Sequence, residues 1–382
     1  MSSEDFIWPI PRSAYIHVPF CRHRCGYCNF SVIADRDDLV ERFLKAIDRE
    51  LAPLGRPSID TLFIGGGTPT HLSVDALSRL LTMLAERFEL CDDFEFSVEA
   101  NPEDIQADKL SVLADHGVNR ISLGVQSFQT DKLELLQRGH NGDRAREAIE
   151  ASAKRIGNVS VDLIFAAPGE AVSDWETDLR TALDLPLQHL STYALTFEKG
   201  TPFWNARLHG RMKGLDEATE VKMYQITRQM LAERGMKHYE VSNFALDGFR
   251  SRHNIAYWEG RGWYAAGPGA ARFVDGSRDL NHRSTTTYLH RIEQGESAVA
   301  ESDRLTRIGY ARERAAFGIR MIDGIDLTRV SQETGVDLWT ECEKAILDAV
   351  DRGLMIRTDT RIRLSKKGIL FADMVAADLL FP

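Results

Sequence analysis

Six short apolar runs alternate with segments of helical spacing over the first 235 residues. That alternation constrains the fold more than any other feature, because it calls for a parallel sheet with helices packed outside it. The runs are Tyr15–Val18, Thr61–Ile64, Phe94–Val98, Arg120–Val125, Val159–Phe165 and Leu190–Thr196. Helical spacing is clearest in Asp38–Leu51, where Val40, Phe43, Leu44, Ile47 and Leu51 share a face. Ser73 is placed to cap a helix carrying Leu77, Leu80, Leu81, Leu84 and Phe88. Further helices are predicted at Asp104–Asp115, Asp131–Gln137, Asp143–Lys154 and Ser173–Leu183. Six units fall short of the eight of a closed TIM barrel. The pattern alone admits an incomplete barrel or a doubly wound open sheet.

The rest of the chain changes character. Residues 236–302 are irregular and rich in Gly, His and aromatics, and read as a linking segment after a core domain of residues 1–235. Residues 303–382 read as a third unit. Helices are predicted at Leu305–Ile322 and Trp339–Arg352, a hairpin at Met355–Arg357 and Ile362–Leu364, and a last helix at Lys367–Leu380. This resembles a winged helix, a module that can bind DNA. Residues 319–382 carry nine Lys/Arg against eleven Asp/Glu, however, and the whole chain has a formal charge of −10. Without a basic stripe no nucleic-acid partner is expected. No run approaches the ~18 apolar residues of a membrane span. The opening MSSEDFIWPIPRS lacks the basic and apolar regions of a signal peptide. With few cysteines, this points to a reducing cytoplasm.

Three of the five cysteines sit within eight residues: Cys21, Cys25 and Cys28, spaced C-x3-C-x2-C. Thiolates this close suit an iron–sulfur cluster. Zinc sites prefer paired C-x2-C halves. Cys91 and Cys342 have no partner motif, so the natural reading is a 4Fe–4S cluster with one iron left open. An open position on a metal centre is where substrate or cofactor binds.

This motif, with Tyr27 before its third cysteine, resembles the signature of the radical S-adenosylmethionine (SAM) family. The resemblance implies an open six-unit partial barrel, and SAM bound to the free iron and cleaved by one electron from the cluster. Other polar residues fall at strand ends, where parallel α/β folds bind ligands. Gly65-Gly66-Gly67-Thr68-Pro69 follows the second run, and three glycines permit close backbone approach to a ligand. Glu99 lies in VEANPE, Gln126 in GVQSF, Arg138 in Leu136-Gln137-Arg138-Gly139-His140, and Asp162 in DLIFAAPGE. Together these segments are similar to the heme-biosynthesis branch of the family, although FAAPGE departs from its usual glycine-containing run. The resemblance places Tyr15, Tyr27, Asn29, Gly66, Gly67, Thr68, Glu99, Gln126, Arg138 and Asp162 around SAM. Arg138 suits a forked contact with the SAM carboxylate.

Within that branch two subfamilies compete. One comprises oxygen-independent coproporphyrinogen III dehydrogenases, which decarboxylate propionates. The other comprises HemW heme chaperones, which hand heme on to an acceptor. The dehydrogenase signature has a fourth cysteine where this chain has Phe30. Arg252–Trp258 reads RHNIAYW and contains the HNxxYW pattern associated with HemW: His253, Asn254, Tyr257 and Trp258. An imidazole can ligate heme iron and aromatic faces can pack on a porphyrin. The same residues would serve equally well in a core. His17, His23 and His140 are expected to line or support the cluster and SAM site. The implied ligands are the cluster, SAM and heme. The implied partners are an unidentified heme acceptor and a reductant for the cluster.

Overall fold

A computed structural model describes residues 6–382 of the protein. The first five residues, part of the opening segment read for targeting, lie outside the described residues.

The chain begins with β1 (Ser13–Val18), which runs into two short paired segments, β2 (Phe20–Cys21) and β3 (Ile33–Ala34), and then α1 (Val40–Leu51). Two strand–helix units follow, β4 (Ser58–Gly66) with α2 (Val74–Arg87), and β5 (Glu89–Ala100) with α3 (Ala107–Asp115). Next come β6 (Arg120–Gln126) with α4 (Thr130–Leu135) and α5 (Gly142–Arg155), and β7 (Val159–Phe165) with α6 (Val172–Leu183). The last unit is β8 (His189–Ala194) with α7 (Pro202–Leu208) and α8 (Glu217–Glu233). Neighbouring strands from β1 through β4, β5, β6 and β7 to β8 are all parallel. β1 and β8 do not pair with each other, so the sheet stays open. The predicted six-unit partial barrel is what forms.

Side-chain alternation divides the sheet into two chemically distinct faces. Ile16, Leu62, Ile64, Phe96, Val98, Ile121, Leu123, Val161 and Leu163 are buried in the apolar core that the helices complete. On α1 the predicted stripe is filled, with Phe43, Leu44, Ile47 and Leu51 buried. Each such side chain contributes roughly 1.5–3 kcal/mol. Ser73 caps α2, its hydroxyl accepting from the Ala76 amide at 3.2 Å. The other face carries His17, Glu99, Ser122, Gly124 and Asp162, and there the cavities lie.

Residues beyond α8 extend this same sheet at both edges. β9 (Lys237–Glu240) and β10 (Asn243–Ala245) add antiparallel strands beside β8. The short α9 (Arg252–Trp258) follows, then β11 (Trp263–Ala266), which pairs parallel with β1 on its free side. β12 (Ala271–Val274), β13 (Ser277–Asn281) and, after α10 (Thr285–Glu293), β14 (Val299–Arg304) complete a sheet of twelve strands. A seventh parallel strand was not expected. β11 is four residues long and half-buried at its start, so it carries no alternation to read.

The C-terminal part contains α11 (Arg307–Gly318), β15 (Ile325–Asp326), α12 (Leu327–Thr334), α13 (Leu338–Glu341), α14 (Glu343–Asp351), β16 (Met355–Arg357), β17 (Arg361–Leu364) and α15 (Ala372–Leu380). The predicted hairpin forms between β16 and β17, and β15 joins it as a third antiparallel strand. The helix predicted over Trp339–Arg352 is broken at Cys342 into α13 and α14. Among the described residues no helix is long and apolar enough to cross a membrane.

Candidate functional site

The loop after β1 is built to hold three thiols against the strand ends. Its start is pinned by backbone bonds from Gly67 to Val18 (2.7 Å) and from Thr68 to Phe20 (2.8 Å), and by the β2–β3 pairing. A Cβ on Gly67 would lie 2.7 Å from the Phe20 carbonyl oxygen, and one on Gly66 (φ 105°) 2.5 Å from the His17 ring. These glycines therefore make room for the cysteine loop and for His17 as well as lining the cavity.

Cys21, Cys25 and Cys28 line one wall of a cavity of about 140 Å³ together with Tyr27, Gly66, Gly67, Thr68, Glu99, Gln126, Arg138 and Asp162. A second cavity of about 670 Å³ adjoins it, sharing Tyr27, Cys28, Glu99, Gln126 and Asp162 and adding Tyr15 and Asn29. Every residue assigned at the sequence level to the cluster or SAM thus faces one of two contiguous spaces. Burial pushes the Cys21 thiol up to about 12 and raises Cys28 as well. Among the described residues, no three His, Cys, Asp or Glu side chains are gathered tightly enough for a single metal ion. Three thiols on one wall are the donor type of an iron–sulfur cluster, which spreads its thiolates over different irons.

Opposite the thiols runs a polar chain. The Arg138 guanidinium donates to Asn101 Oδ1 (2.5 Å) and to the Gly124 carbonyl (2.8 Å). Asn101 donates to Thr68 Oγ1 (2.8 Å), which lies 3.4 Å from Cys21 Sγ. Arg138 Nη1 also approaches Cys25 Sγ at 3.5 Å, and Arg138 Nε is buried without a partner. Burial works to lower the Arg138 pKa, but Tyr27 and Cys25 outweigh it and the side chain stays charged. Glu99 accepts from the Gly66 amide at 2.9 Å. Burial, reinforced by the nearby Asp162, pushes the Glu99 carboxyl up to about 7 despite that bond. Asp162 is raised too, by burial, while Ser122 donates to it at 3.3 Å. The site thus offers a cation at one end and two reluctant carboxylates at the other. A zwitterion carrying additional positive charge suits that pattern.

The histidines divide as expected. His17 lines the larger cavity, hydrogen-bonded to Tyr15 (3.0 Å) and to the Ser31 carbonyl (2.8 Å), and burial lowers its pKa to about 4. His23 lines the smaller cavity. His140 stands behind it, 3.1 Å from Glu103. Burial acts to raise Glu103, but the His140 bond and the Arg138 charge bring it down to about 2.

The HNxxYW residues lie elsewhere. His253 is 1 % exposed, and both its ring nitrogens are taken, Nδ1 by Thr61 Oγ1 and Nε2 by the Tyr257 hydroxyl, each at 2.8 Å. Its ring stacks on Phe63 at 5.1 Å, and burial lowers its pKa to about 3. The Glu95 carboxylate accepts from the Arg252 and His253 amides at 2.9 and 3.0 Å. Ser251 caps the helix through the Asn254 amide. Thr61, Phe63 and Tyr15 lie on the cavity face of the sheet, with Thr61 nearer the strand starts, so α9 closes that end below the cavities. Trp258 points the other way. It lines a separate cleft of about 410 Å³ with Arg250, Arg314, Arg329 and Arg361, and the Arg320 guanidinium sits 4.9 Å over its ring. His253→Ala should cost about 3 kcal/mol of stability, since it empties a packed site and strands the Thr61 and Tyr257 hydroxyls. A denaturant titration against the parent protein measures this.

Sequence reasoning missed Asn101 and Arg283. Asn101 stands inside the quoted VEANPE segment and was legible there. Arg283, which donates to the Asn29 carbonyl and lines the larger cavity, has no local signal.

Comparison with known proteins gives a consistent picture. The radical SAM superfamily profile matches residues 15–182 and the HemN C-terminal domain profile residues 305–371. The chain is 34% identical over 371 residues to the heme chaperone HemW of Bacillus subtilis, covering 95% of this chain and 98% of the relative. It is 33% identical to the protein of the same name in Mycobacterium tuberculosis, covering 97% and 95%. Among solved structures, the coproporphyrinogen III oxidase HemN of Escherichia coli superposes with a TM-score of 0.85. It covers 99% of this chain and 92% of that one at 22% identity, a likeness of fold.

Proposed function

We propose a function on one premise: the chain belongs to the radical SAM superfamily and, within it, to the family of HemW heme chaperones. The cofactors of that superfamily, a 4Fe–4S cluster and SAM, are this chain's cofactors. On this reading the protein is a heme chaperone that binds heme and transfers it to an acceptor. The match with HemW proteins along nearly the whole chain carries the conclusion.

The residues divide the work as follows. Cys21, Cys25 and Cys28 would hold the cluster. Arg138 would take the SAM carboxylate. Glu99 and Asp162 would face its ammonium and ribose hydroxyls, with Gly66, Gly67 and Thr68 beside them. Tyr15, Tyr27, Asn29 and Gln126 would complete the walls of the two cavities. With both groups bound, the cysteine-held cluster would be the source of one electron for SAM. Heme is proposed to bind at the HNxxYW segment beside Trp258, which lines a cleft of mixed charge where Arg250 and Arg361 pair with Asp323 and Asp326. His253, Asn254 and Tyr257 would hold that helix in place.

A reductant for the cluster and a heme acceptor belong to the same proposal. Residues 303–382 would be the surface on which the acceptor docks, while residues 236–302 widen the core sheet at both edges. A cytoplasmic location is supported by Cys91 and Cys342, both free thiols.

A paired assay on anaerobically reconstituted protein tests the function. Heme is titrated by its Soret band, and SAM with coproporphyrinogen III is supplied separately. Stoichiometric heme binding without decarboxylation is expected. Formation of vinyl product would make the protein a coproporphyrinogen dehydrogenase. In the same titration Trp258→Ala should weaken heme binding roughly tenfold, about 1.4 kcal/mol. His253→Ala should weaken it less than Trp258→Ala does, because that ring has no free nitrogen for iron and acts only by holding the helix.

A further inference from the structure

Two turns at the ends of strands that line the cofactor cavities adopt backbone conformations that side chains disfavour. At the end of β6, Gln126 has φ 65°, and just after β7, Ala166 has φ 61°. Neither is glycine, so both are left-handed at a steric cost, and such residues persist only where the surroundings hold them. Gln126 and Asp162, carried by these strands, line both cavities.

One buried charge cluster holds both turns. Asp178 on α6 accepts from the Phe128 amide (2.8 Å) and the Ser127 hydroxyl (2.7 Å), which fixes the chain just after Gln126. Glu170 accepts from the Ala167 amide (2.9 Å), which fixes the chain just after Ala166. Lys132 on α4 joins the two carboxylates, 2.5 Å from Glu170 and 3.1 Å from Asp178, with its ammonium 5.0 Å over the Trp175 ring. The side chains of Lys132, Glu170 and Asp178 are 7%, 2% and 0% exposed, and none lines a cavity. Buried ion clusters are a poor source of stability, since apolar replacements of similar shape often do as well. What an apolar replacement does not supply is a fixed set of acceptors for amides in two different turns.

We propose that Lys132, with Glu170 and Asp178, is a positioning cluster for the SAM pocket. It locks the β6 and β7 turns to each other, so that Gln126 and Asp162 present one rigid wall to the cofactor. This rests on the assignment of the pocket to SAM.

The test is a SAM titration of the reconstituted, reduced protein, read from the perturbation of the cluster's electron paramagnetic resonance spectrum. The triple variant Lys132→Met, Glu170→Met, Asp178→Leu removes all three charges together with the acceptors for both turn amides. It should keep its cluster absorbance while its SAM dissociation constant rises roughly tenfold or more, as loss of outer-shell support does elsewhere. A variant that melts earlier but binds SAM like the parent overturns the inference. Failure of the parent itself to bind SAM is a different result and overturns the pocket assignment. Hydrogen exchange on the parent protein needs no variant. The Phe128 and Ala167 amides should open as one unit and slow together when SAM is added, and independent opening overturns the coupling.

Discussion

Cys25→Ala leaves a folded chain that assembles no iron–sulfur cluster. Three thiolates are the whole protein contribution to the proposed centre, and Cys91 and Cys342 stand far from it in sequence. Two remaining ligands cannot secure a four-iron cluster. The fold should survive, because the loop's anchors are backbone bonds: Gly67 to Val18, Thr68 to Phe20, and Cys28 to Cys25 at 3.1 Å. Anaerobic reconstitution should give no brown absorbance and no bound iron, with an unchanged far-ultraviolet circular dichroism spectrum. A full 4Fe–4S spectrum in this variant would defeat the ligand assignment. Since burial pushes the Cys21 thiol up to about 12 and raises Cys28, assembly must expel protons. Cluster uptake by the parent should accordingly quicken as pH rises.

Glu99→Gln should stabilise the cofactor-free protein while weakening its hold on SAM. The Glu99 carboxyl is raised by burial from 4.5 to about 7. A folded-state pKa above the unfolded value means the stability linked to this group is fully present below pH 4.5 and lost as pH rises through 7. The shift corresponds to about 3 kcal/mol. At pH 8 the parent carries that cost and the variant does not, so the variant should be more stable by up to about 3 kcal/mol. Near pH 4 the two should converge. The Gln carbonyl still accepts from the Gly66 amide, so geometry is kept. SAM loses an anionic neighbour for its positive groups, and its dissociation constant should rise. Chemical denaturation at several pH values, beside a SAM titration, checks both halves. A variant no more stable than the parent at pH 8 would show that Glu99 carries no buried-charge cost.

The parts of this molecule that were legible in the sequence are those whose physics is local. Phe43, Leu44 and Ile47 announce a buried helix face because their spacing suffices. Glu99 and Gln126 sit at strand ends and Asp162 in the middle of β7, and parallel strands bring such positions together wherever the helices between them run. The convergence of the cysteine and SAM residues on two adjoining cavities therefore needed only the strand order. What was not legible depends on partners distant in the chain. Nothing in HNIAYW says that His253 meets Thr61 and Tyr257 with both nitrogens while Trp258 turns outward under Arg320. The substitution of FAAPGE for a glycine-containing run was visible. That Ala166 would nonetheless adopt φ 61°, with Glu170 holding the next amide, was not.

The position of β11 fixes a chronology. β1, which leads into the three cysteines, is paired on one side with β4 and on the other with β11, whose residues are 263–266. During synthesis the cysteines emerge about 235 residues before β11, and β1 remains an unprotected sheet edge over that whole interval. Arg283, which ties down the far end of the cysteine loop, arrives later still. Over that interval the growing chain carries three closely spaced thiols beside an open strand. A nascent chain cut short before residue 263 has the ligands for a metal centre without the sheet that shelters it.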